Sequence, residues 1–236
     1  MNVEYALDKI CPGGYQIKKD GLAISGYGVC KGQTVAIIGT IDHAAIGIEI
    51  AFDLAAAVLE VIQHFPQRPI LLMVDTQGQR LTHRDELLAN HAYLAHLAKC
   101  LELARCRGHR VVSLVYGEAV SGGFFATGMM AERAYALPNA QIRVMALQAM
   151  TRVTKIPLEQ LDELCKTSAI FGPGITNFVR LGIIEDIWQG DLENCLDRAL
   201  RLPADYDNRA ELGCERGGRE WAAKVAFRIR MSAEKA

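Results

Sequence analysis

Two apolar runs, each followed by a glycine-containing segment, constrain the fold of this chain more than any other feature. The first, Ile70–Val74, is closed by Asp75 and followed by 76–82. The second, 110–116, runs into the sequence GEAVSGGFF at 117–125. Each run is short, rich in branched residues and followed by a helical pattern, which predicts a buried strand that leads through a loop into a helix. Strands that alternate with helices indicate an α/β domain.

The rest of the chain predicts more elements of the same kind. Apolar periodicity and turn residues predict strands at 22–30, 34–41, 134–137 and 141–145, and helices at 48–63, 83–106, 157–166, 173–181 and 191–202. The recurring unit is roughly two strands and a helix. We expect one domain over 1–205 and a basic helical extension over 206–236, because residues 209–236 carry seven Lys or Arg and four Asp or Glu.

Composition excludes several classes of protein. The chain has 26 Lys and Arg against 27 Asp and Glu, so it has no overall attraction for nucleic acid or an anionic membrane. Acidic residues interrupt the longest apolar stretch, 44–62, which is therefore not a membrane span. The first residues lack the apolar core of a signal peptide, and the seven cysteines show no secreted framework. We expect a cytoplasmic protein without a metal site.

The two glycine-containing segments are the candidate functional site. Backbone N–H groups are unpaired where a helix begins, and neighbouring glycines such as Gly122 and Gly123 let a ligand approach them closely. Two such segments side by side offer one N–H each to an oxygen that gains negative charge in a reaction. The same glycines also suit close packing of a helix on a strand, so both interpretations stay open.

Three long segments resemble the crotonase and carboxyltransferase superfamily, and the whole chain resembles the malonate decarboxylase gamma subunit family over roughly residues 20 to 200. The segments are IIGTIDHAAIGIEIAFDLAAAVLEVI, LLMVDTQGQRLTHRDELLANHAYLAHLAKCLELARCRGHRVVSLVYGEAVSGGFFATGM and RAYALPNAQIRVMALQAMTRVTKI. The resemblance implies an α/β, crotonase-like spiral of strand-strand-helix units.

The resemblance also implies an activity and its partners. A homologous beta subunit pairs with the gamma subunit, and together they decarboxylate a malonyl thioester on an acyl carrier protein to the acetyl thioester and CO2. The carrier holds a phosphoribosyl-dephospho-coenzyme A prosthetic group, and no cofactor is attached to the gamma chain itself. A separate alpha subunit exchanges malonate for acetate on the carrier.

The site residues follow from the same resemblance. GEAVSGGFF is similar to the oxyanion loop of carboxyltransferases, and DTQG at 75–78 is similar to their Asp-Thr-Pro-Gly loop, with Gln77 in place of proline. We expect Gly122 and Gly123 to be the hydrogen-bond donors, for the enolate or for the departing carboxylate, with Gln77 and Gly78 facing them. Four further residues are predicted to bind substrate: Ser121, Thr76, Phe124 and Arg80.

Four alternatives remain at this point. The chain could serve a biotin-dependent carboxyltransferase, or be a non-catalytic scaffold. Ser121 also resembles the nucleophile of Clp-type peptidases, but all six histidines precede it in the sequence, against that family's order. A crotonase-type hydratase needs a carboxylate base, for which Glu118 and Asp75 are the nearest candidates, although neither matches the family's glutamates.

Overall fold

The computed structural model describes residues 2–169, 172–203, 207–219 and 221–233. Within them the strands, numbered in chain order, are β1 (Tyr15–Asp20), β2 (Ala23–Cys30), β3 (Gln33–Thr40), β4 (Ala44–Ile46), β5 (Ile70–Gln79), β6 (Val111–Val120), β7 (Arg133–Ala136), β8 (Gln141–Arg143) and β9 (Asp186–Ile187). The helices are α1 (Val3–Ile10), α2 (Ile48–His64), α3 (His83–Leu87), α4 (Asn90–Cys106), α5 (Ser121–Ala126), α6 (Leu147–Thr154), α7 (Leu158–Thr167), α8 (Ile175–Arg180), α9 (Leu192–Arg201), α10 (Arg209–Glu215) and α11 (Ala222–Ala233).

The described strands form one mixed sheet with two sections. In the main section the order is β1-β2-β3-β5-β6-β7-β9. The β1–β2 and β2–β3 pairs are antiparallel and the remaining pairs are parallel. The predicted hairpin between β2 and β3 is confirmed, and Lys31 and Gly32 both have positive φ at its turn, as a two-residue type I′ turn requires.

The outer section of the sheet is built by the second halves of the two longest strands. β5 pairs with β3 through Ile70–Met73 and then with β4 through Thr76–Gln79, after an irregularity in its pairing with β6 between Val74 and Thr76. β6 pairs with β7 through Val112–Val115 and then with β8 at 118–120. β5 and β6 therefore run without a break from the main section into the outer section, where β4 and β8 are their partners.

The apolar core lies on both faces of the main section. Alternate residues of β5 point to opposite sides, as in any strand. Leu71 and Met73 pack in a cluster with α1 and α9, while Ile70 and Leu72 pack in a second cluster with α2 and α4. Burial on both faces explains why this strand is a continuous apolar run in the sequence.

The structure corrects three sequence-based boundaries. The predicted loop 76–82 begins too early, because 76–79 continue β5 beside β4. Likewise 117–120 continue β6 beside β8 instead of forming a loop. The predicted helix 83–106 is two helices, since Ala89 has a left-handed φ of 58° between α3 and α4. This break brings the Asn90 amide against the carbonyl oxygens of Ile46 and Arg80, to which it donates.

The other predicted strands and helices are confirmed within a few residues of their expected ends. Sequence patterns missed α1, β1, β4, α6 and β9. The predicted domain boundary at 205/206 lies outside the described residues, so that division stays a prediction. Beyond it, Arg216 at the end of α10 donates to the carbonyl oxygens of Val179, Ile184 and Glu185. Among the described helices, none is long and apolar enough to cross a membrane.

Candidate functional site

The two glycine-containing segments lie against each other, as predicted. Helix α5 begins immediately after β6, and its first turn packs on the outer half of β5. A Cβ placed on Gly123 would lie 2.8 Å from the Cα and carbonyl carbon of Gly78. A Cβ on Gly78 would lie 3.2 Å from the Val120 carbonyl oxygen. The contact is therefore a close approach of backbone to backbone.

Gly122 presents its backbone N–H to a side chain that the sequence did not single out. The N–H donates to Gln79 Oε1 at 3.1 Å. A Cβ on Gly122 would lie 2.8 Å from the same oxygen, so a side chain there would compete with the acceptor for space. The Gln79 amide oxygen is therefore a neutral acceptor bound at the start of α5.

Gly123 and Gly78 differ from Gly122. Gly123 lies against Thr76 as well as Gly78, because a Cβ on Gly123 would also lie 2.9 Å from Thr76 Oγ1. Gly78 has a φ of 107°, and its N–H donates to Thr76 Oγ1 at 3.0 Å. That hydroxyl in turn donates to the Ala44 carbonyl oxygen at 2.6 Å. Gly123 therefore fits the alternative interpretation of the glycine pair, which is close packing. The Gly78 N–H is already bound to the Thr76 hydroxyl in this arrangement.

Three other predicted residues have different surroundings. Gln77 is exposed and lies between Thr76 and Gly78 on the segment that faces α5. Ser121 is half-buried, with a left-handed φ of 49° at the first residue of α5. Phe124 is buried in the core, so its ring contacts the protein interior rather than the surface.

Arg80 is held by two carboxylates. Its Nε donates to Asp85 Oδ2 at 2.6 Å, and its Nη2 donates to Asp85 Oδ1 at 2.8 Å and to Glu49 Oε2 at 2.7 Å. Asp85 is buried and also accepts from the Thr82 hydroxyl. The Arg80 hydrogen bonds hold the pKa of the Asp85 carboxyl well below its usual range. The Arg80 guanidinium thus links the turn after β5 to α3 and α2, and we call this group of Arg80, Asp85 and Glu49 the Arg80 brace.

The structure reveals a His–Asp pair that the sequence analysis did not propose. Asp75 is buried, and its Oδ1 lies 3.0 Å from His43 Nδ1. Oδ1 also accepts from the Glu118 backbone N–H at 2.8 Å, and Oδ2 accepts from the His43 backbone N–H at 3.1 Å. A Cβ at Gly117 would collide with this carboxylate. The sequence signal for the pair was that each residue follows an apolar run, His43 after the run that forms β3 and Asp75 after Ile70–Val74, and that such runs pair as parallel strands.

The groups needed by the rival activities have other partners. Among the described hydrogen bonds, none joins an imidazole to the Ser121 hydroxyl. The Glu118 carboxylate accepts from Arg143 Nη2 at 3.1 Å. Within the described residues there is also no cluster of three or more His, Cys, Asp or Glu side chains arranged to hold a metal ion.

Comparison with solved structures identifies the fold. A Pseudomonas malonate decarboxylase hetero-tetramer in complex with coenzyme A matches with a TM-score of 0.81 at 24% identity, over 98% of this chain and 100% of the matched chain. The transcarboxylase 12S core with hydrolysed methylmalonyl-coenzyme A matches with a TM-score of 0.71 at 18% identity, over 84% of this chain and 41% of that one. The predicted crotonase-like carboxyltransferase fold is confirmed.

Sequence comparison gives the family. The malonyl-S-ACP:biotin-protein carboxyltransferase MADD of Malonomonas rubra is 31% identical over 202 residues, covering 76% of this chain and 69% of the relative. The sequence profile of the malonate decarboxylase gamma subunit matches residues 41–233, a range that holds both glycine-containing segments, the His43–Asp75 pair and the Arg80 brace. Because this profile matches most of its length, the chain belongs to the malonate decarboxylase gamma subunit family.

Proposed function

We propose that this chain, paired with a homologous beta subunit, catalyses the decarboxylation of a malonyl thioester carried by an acyl carrier protein. The products are the acetyl thioester and CO2. The carrier's prosthetic group is a phosphoribosyl-dephospho-coenzyme A, and the alpha subunit supplies malonate to the carrier. Family membership supports this assignment, and the assembly works in the cytoplasm.

The hydrogen bond between the Gly122 N–H and Gln79 Oε1 carries the proposal for the site. Loss of CO2 leaves an enolate, whose charge develops on the thioester oxygen. A fixed backbone donor aimed at that oxygen stabilises the transition state more than the substrate. The bond of 3.1 Å supports this role because an acyl-type oxygen already fits at that N–H. When the Gln79 side chain rotates away, the same N–H becomes available to the thioester.

The remaining candidate residues support this donor in different ways. Gly123 and Gly78 let α5 approach β5, and Thr76 fixes the segment between them. Exposed Gln77 and half-buried Ser121 are the polar groups that remain near the donor for contacts with substrate. Phe124 and Arg80 act by holding the core and the turn in place.

Exposed apolar side chains on α5 and on the segments after β8 support a partner subunit that covers them. Helix α6, which follows β8, has no buried residue. The exposed apolar side chains of α5, the loop after β8, α6 and α7 are Phe125, Val144, Val153 and Leu158. Large apolar side chains exposed together are typical of a surface that another chain covers.

The experiment measures CO2 release from malonyl-carrier by the chain copurified with its native partners. We expect Gly122→Ala to lower kcat about 100-fold, because its Cβ occupies the space of the acceptor oxygen and so blocks the N–H, and the loss of one oxyanion donor has an effect of this size. Its Cβ meets only the flexible end of Gln79, so the variant folds. Gln79→Ala is the matched control, because it removes the competing oxygen and leaves the donor intact. A folded Gly122→Ala complex with normal turnover contradicts the proposed donor.

One observation favours a second candidate. The Malonomonas rubra relative is a biotin-protein carboxyltransferase, so the site could transfer the carboxyl group to biotin on another chain. Excess avidin separates the two reactions. Release of CO2 that avidin does not change supports direct decarboxylation, and release that avidin blocks supports the biotin route. A complete complex without turnover supports a non-catalytic scaffold.

A further inference from the structure

We propose that His43, oriented by Asp75, returns a proton to the substrate carbon after CO2 has left. This inference rests on the proposed decarboxylation and adds the acid that the reaction requires. It assigns a role to a pair of polar side chains where the main section of the sheet ends, one in the turn between β3 and β4 and the other within β5.

The contact between the two side chains involves one of the two ring nitrogens. Nδ1 of His43 lies 3.0 Å from Asp75 Oδ1, and we assign a hydrogen to this nitrogen because a carboxylate oxygen lies beside it. Nε2 is then the nitrogen available for proton transfer. The side chain is 60% exposed, whereas the Asp75 side chain is only 5% exposed. A buried acceptor thus holds an accessible imidazole, the arrangement that fixes the ring for acid–base work.

Asp75 is itself fixed by the backbone. Its two oxygens accept the N–H groups of His43 and Glu118 in addition to the imidazole. These donors come from the segment after β3 and from β6, on either side of β5. The two backbone hydrogen bonds hold the carboxylate in one position beside the imidazole.

The backbone at His43 is in an uncommon conformation. Asp42 and His43 both have φ values of 53°, in the left-handed region that non-glycine residues seldom occupy. Two such residues in succession persist only where surrounding contacts hold them, and residues of this kind cluster at functional sites. Here the Asp75 carboxylate holds both the main chain and the side chain of His43.

Short segments of backbone link the pair to the proposed donor site. Ala44, next to His43, accepts from the Thr76 hydroxyl at 2.6 Å, and the same hydroxyl accepts from the Gly78 N–H at 3.0 Å. On the other side, the Asp75 carboxylate binds the backbone of Glu118, four residues before Gly122. Both glycine-containing segments are therefore connected to the pair by single hydrogen bonds or neighbouring residues.

The proposed step balances. Loss of CO2 leaves the electrons of the broken carbon–carbon bond in the enolate. The enolate carbon takes the proton from Nε2 of the imidazolium, so a C–H bond forms, an N–H bond breaks and the thioester carbonyl is restored. The neutral imidazole keeps its Nδ1 hydrogen on the side of Asp75 and then takes a proton from the solvent at Nε2. Glu118 is a poorer candidate because its carboxylate is bound to Arg143.

The test uses the copurified complex and the variant His43→Gln, whose amide can still donate to Asp75 but cannot supply a proton at neutral pH. We expect kcat to fall about 100-fold or more, the usual contribution of a general acid, with little change in KM or thermal midpoint. The matched control is His64→Gln, an exposed histidine at the end of α2, which leaves kcat unchanged.

Two further measurements distinguish a proton donor from a structural residue. The wild-type kcat should fall as pH rises and the imidazolium loses its proton, and this limb should be absent in His43→Gln. The ionisable group in contact with the ring is Asp75, while Asp42 precedes His43 in the chain and Glu118 contributes its backbone N–H to the same carboxylate. In His43→Ala, added imidazole should restore turnover at least tenfold, whereas it has no effect on the wild type.

The outcomes separate the two proposals. If the wild-type complex releases no CO2, the proposed function fails and the inference fails with it. If the wild type is active and His43→Gln retains more than half of its kcat, only the inference is wrong. A large loss of kcat without a changed pH profile and without rescue by imidazole also overturns it, because it indicates a structural role.

Discussion

The main and outer sections of the sheet are stabilised in different ways. In the main section, β5 and β6 are apolar on both faces and are buried between helices. In the outer section, the same strands carry Thr76, Gln79 and glycines, paired with strands of only three residues. Burial holds the first section, whereas specific hydrogen bonds and close backbone contacts hold the second. The candidate site lies in the outer section, where individual hydrogen bonds and close backbone contacts set the geometry.

The largest expected effect is a lower free energy of unfolding after a substitution in the main section, with kcat unchanged. Leu114 of β6 is fully buried, so Leu114→Ala should lower the free energy of unfolding by about 3 kcal/mol. The half-exposed Leu103 of α4 is the control, and Leu103→Ala should cost less than about 0.5 kcal/mol. Chemical denaturation measures both. A fall in kcat of the folded Leu114→Ala complex would contradict this comparison, because it would show that the main section also affects the reaction.

The next effect compares the two adjacent glycines of the outer section. A Cβ on Gly123 meets the Gly78 backbone at 2.8 Å, so Gly123→Ala should destabilise the protein by about 2 kcal/mol. A Cβ on Gly122 meets only the end of Gln79, so Gly122→Ala should cost less than about 0.5 kcal/mol. Thermal denaturation of the two variants, measured side by side, distinguishes packing from donor function. Equal losses of stability in the two variants would contradict the assignment of packing to Gly123 and of donor function to Gly122.

A smaller effect is expected at Thr76. Its hydroxyl joins the Ala44 carbonyl oxygen to the Gly78 N–H, and both groups are left without this partner in Thr76→Val. The variant should lose about 1 to 2 kcal/mol of stability and some activity. Thr76→Ser keeps the hydroxyl and should restore most of both. A valine variant as stable as the wild type would show that these hydrogen bonds contribute little to the outer section.

The smallest effect is a pH dependence of stability at the Arg80 brace. Arg80 lowers the pKa of Asp85 in the folded protein, so the unfolded chain binds a proton at this carboxyl first as pH falls. The stabilisation is complete above the ordinary carboxyl pKa, about 4, and is lost as pH falls below it. The pKa of Glu49 is also lowered, to about 2, by its own backbone N–H and then by the arginines.

The measurement is the urea midpoint between pH 7 and pH 3. In Arg80→Gln the midpoint should start lower and fall less over this range, because the shift of Asp85 is largely removed. Replacement of the exposed Arg107 of the loop after α4 by Gln is the control, and its profile should match the wild type. If the urea midpoints of all three proteins change with pH in the same way, the Arg80 brace does not make stability depend on pH.

The sequence predicted the main section well and the outer section poorly, for a physical reason. Residues 70–74 are apolar because both faces of the strand are buried, and that pattern is visible in one segment. Residues 76–79 are polar or glycine, and their partner strand β4 has only three residues. Such residues resemble a loop unless the strand that pairs with them is known.

The same reasoning explains which site residues were found. Gly122 and Gly123 stand out locally, so their segment and its contact with Gly78 could be predicted. Gln79 lies 43 residues from Gly122, and His43 lies 32 residues from Asp75. Neither pair has a local pattern, because only the parallel arrangement of β3, β5 and β6 brings its members together.

The division of β5 between two ladders has a consequence for amide hydrogen exchange. The pairings of β4 and β8 span only three residues each, so the outer section can open while the longer pairings of the main section stay closed. Backbone amides at Gly78 and Val120 should then exchange through local opening, and those at Leu72 and Leu114 only through global unfolding. A bound acyl oxygen, by occupying the Gly122 N–H, would slow exchange in the outer section alone and so report occupancy of the site directly.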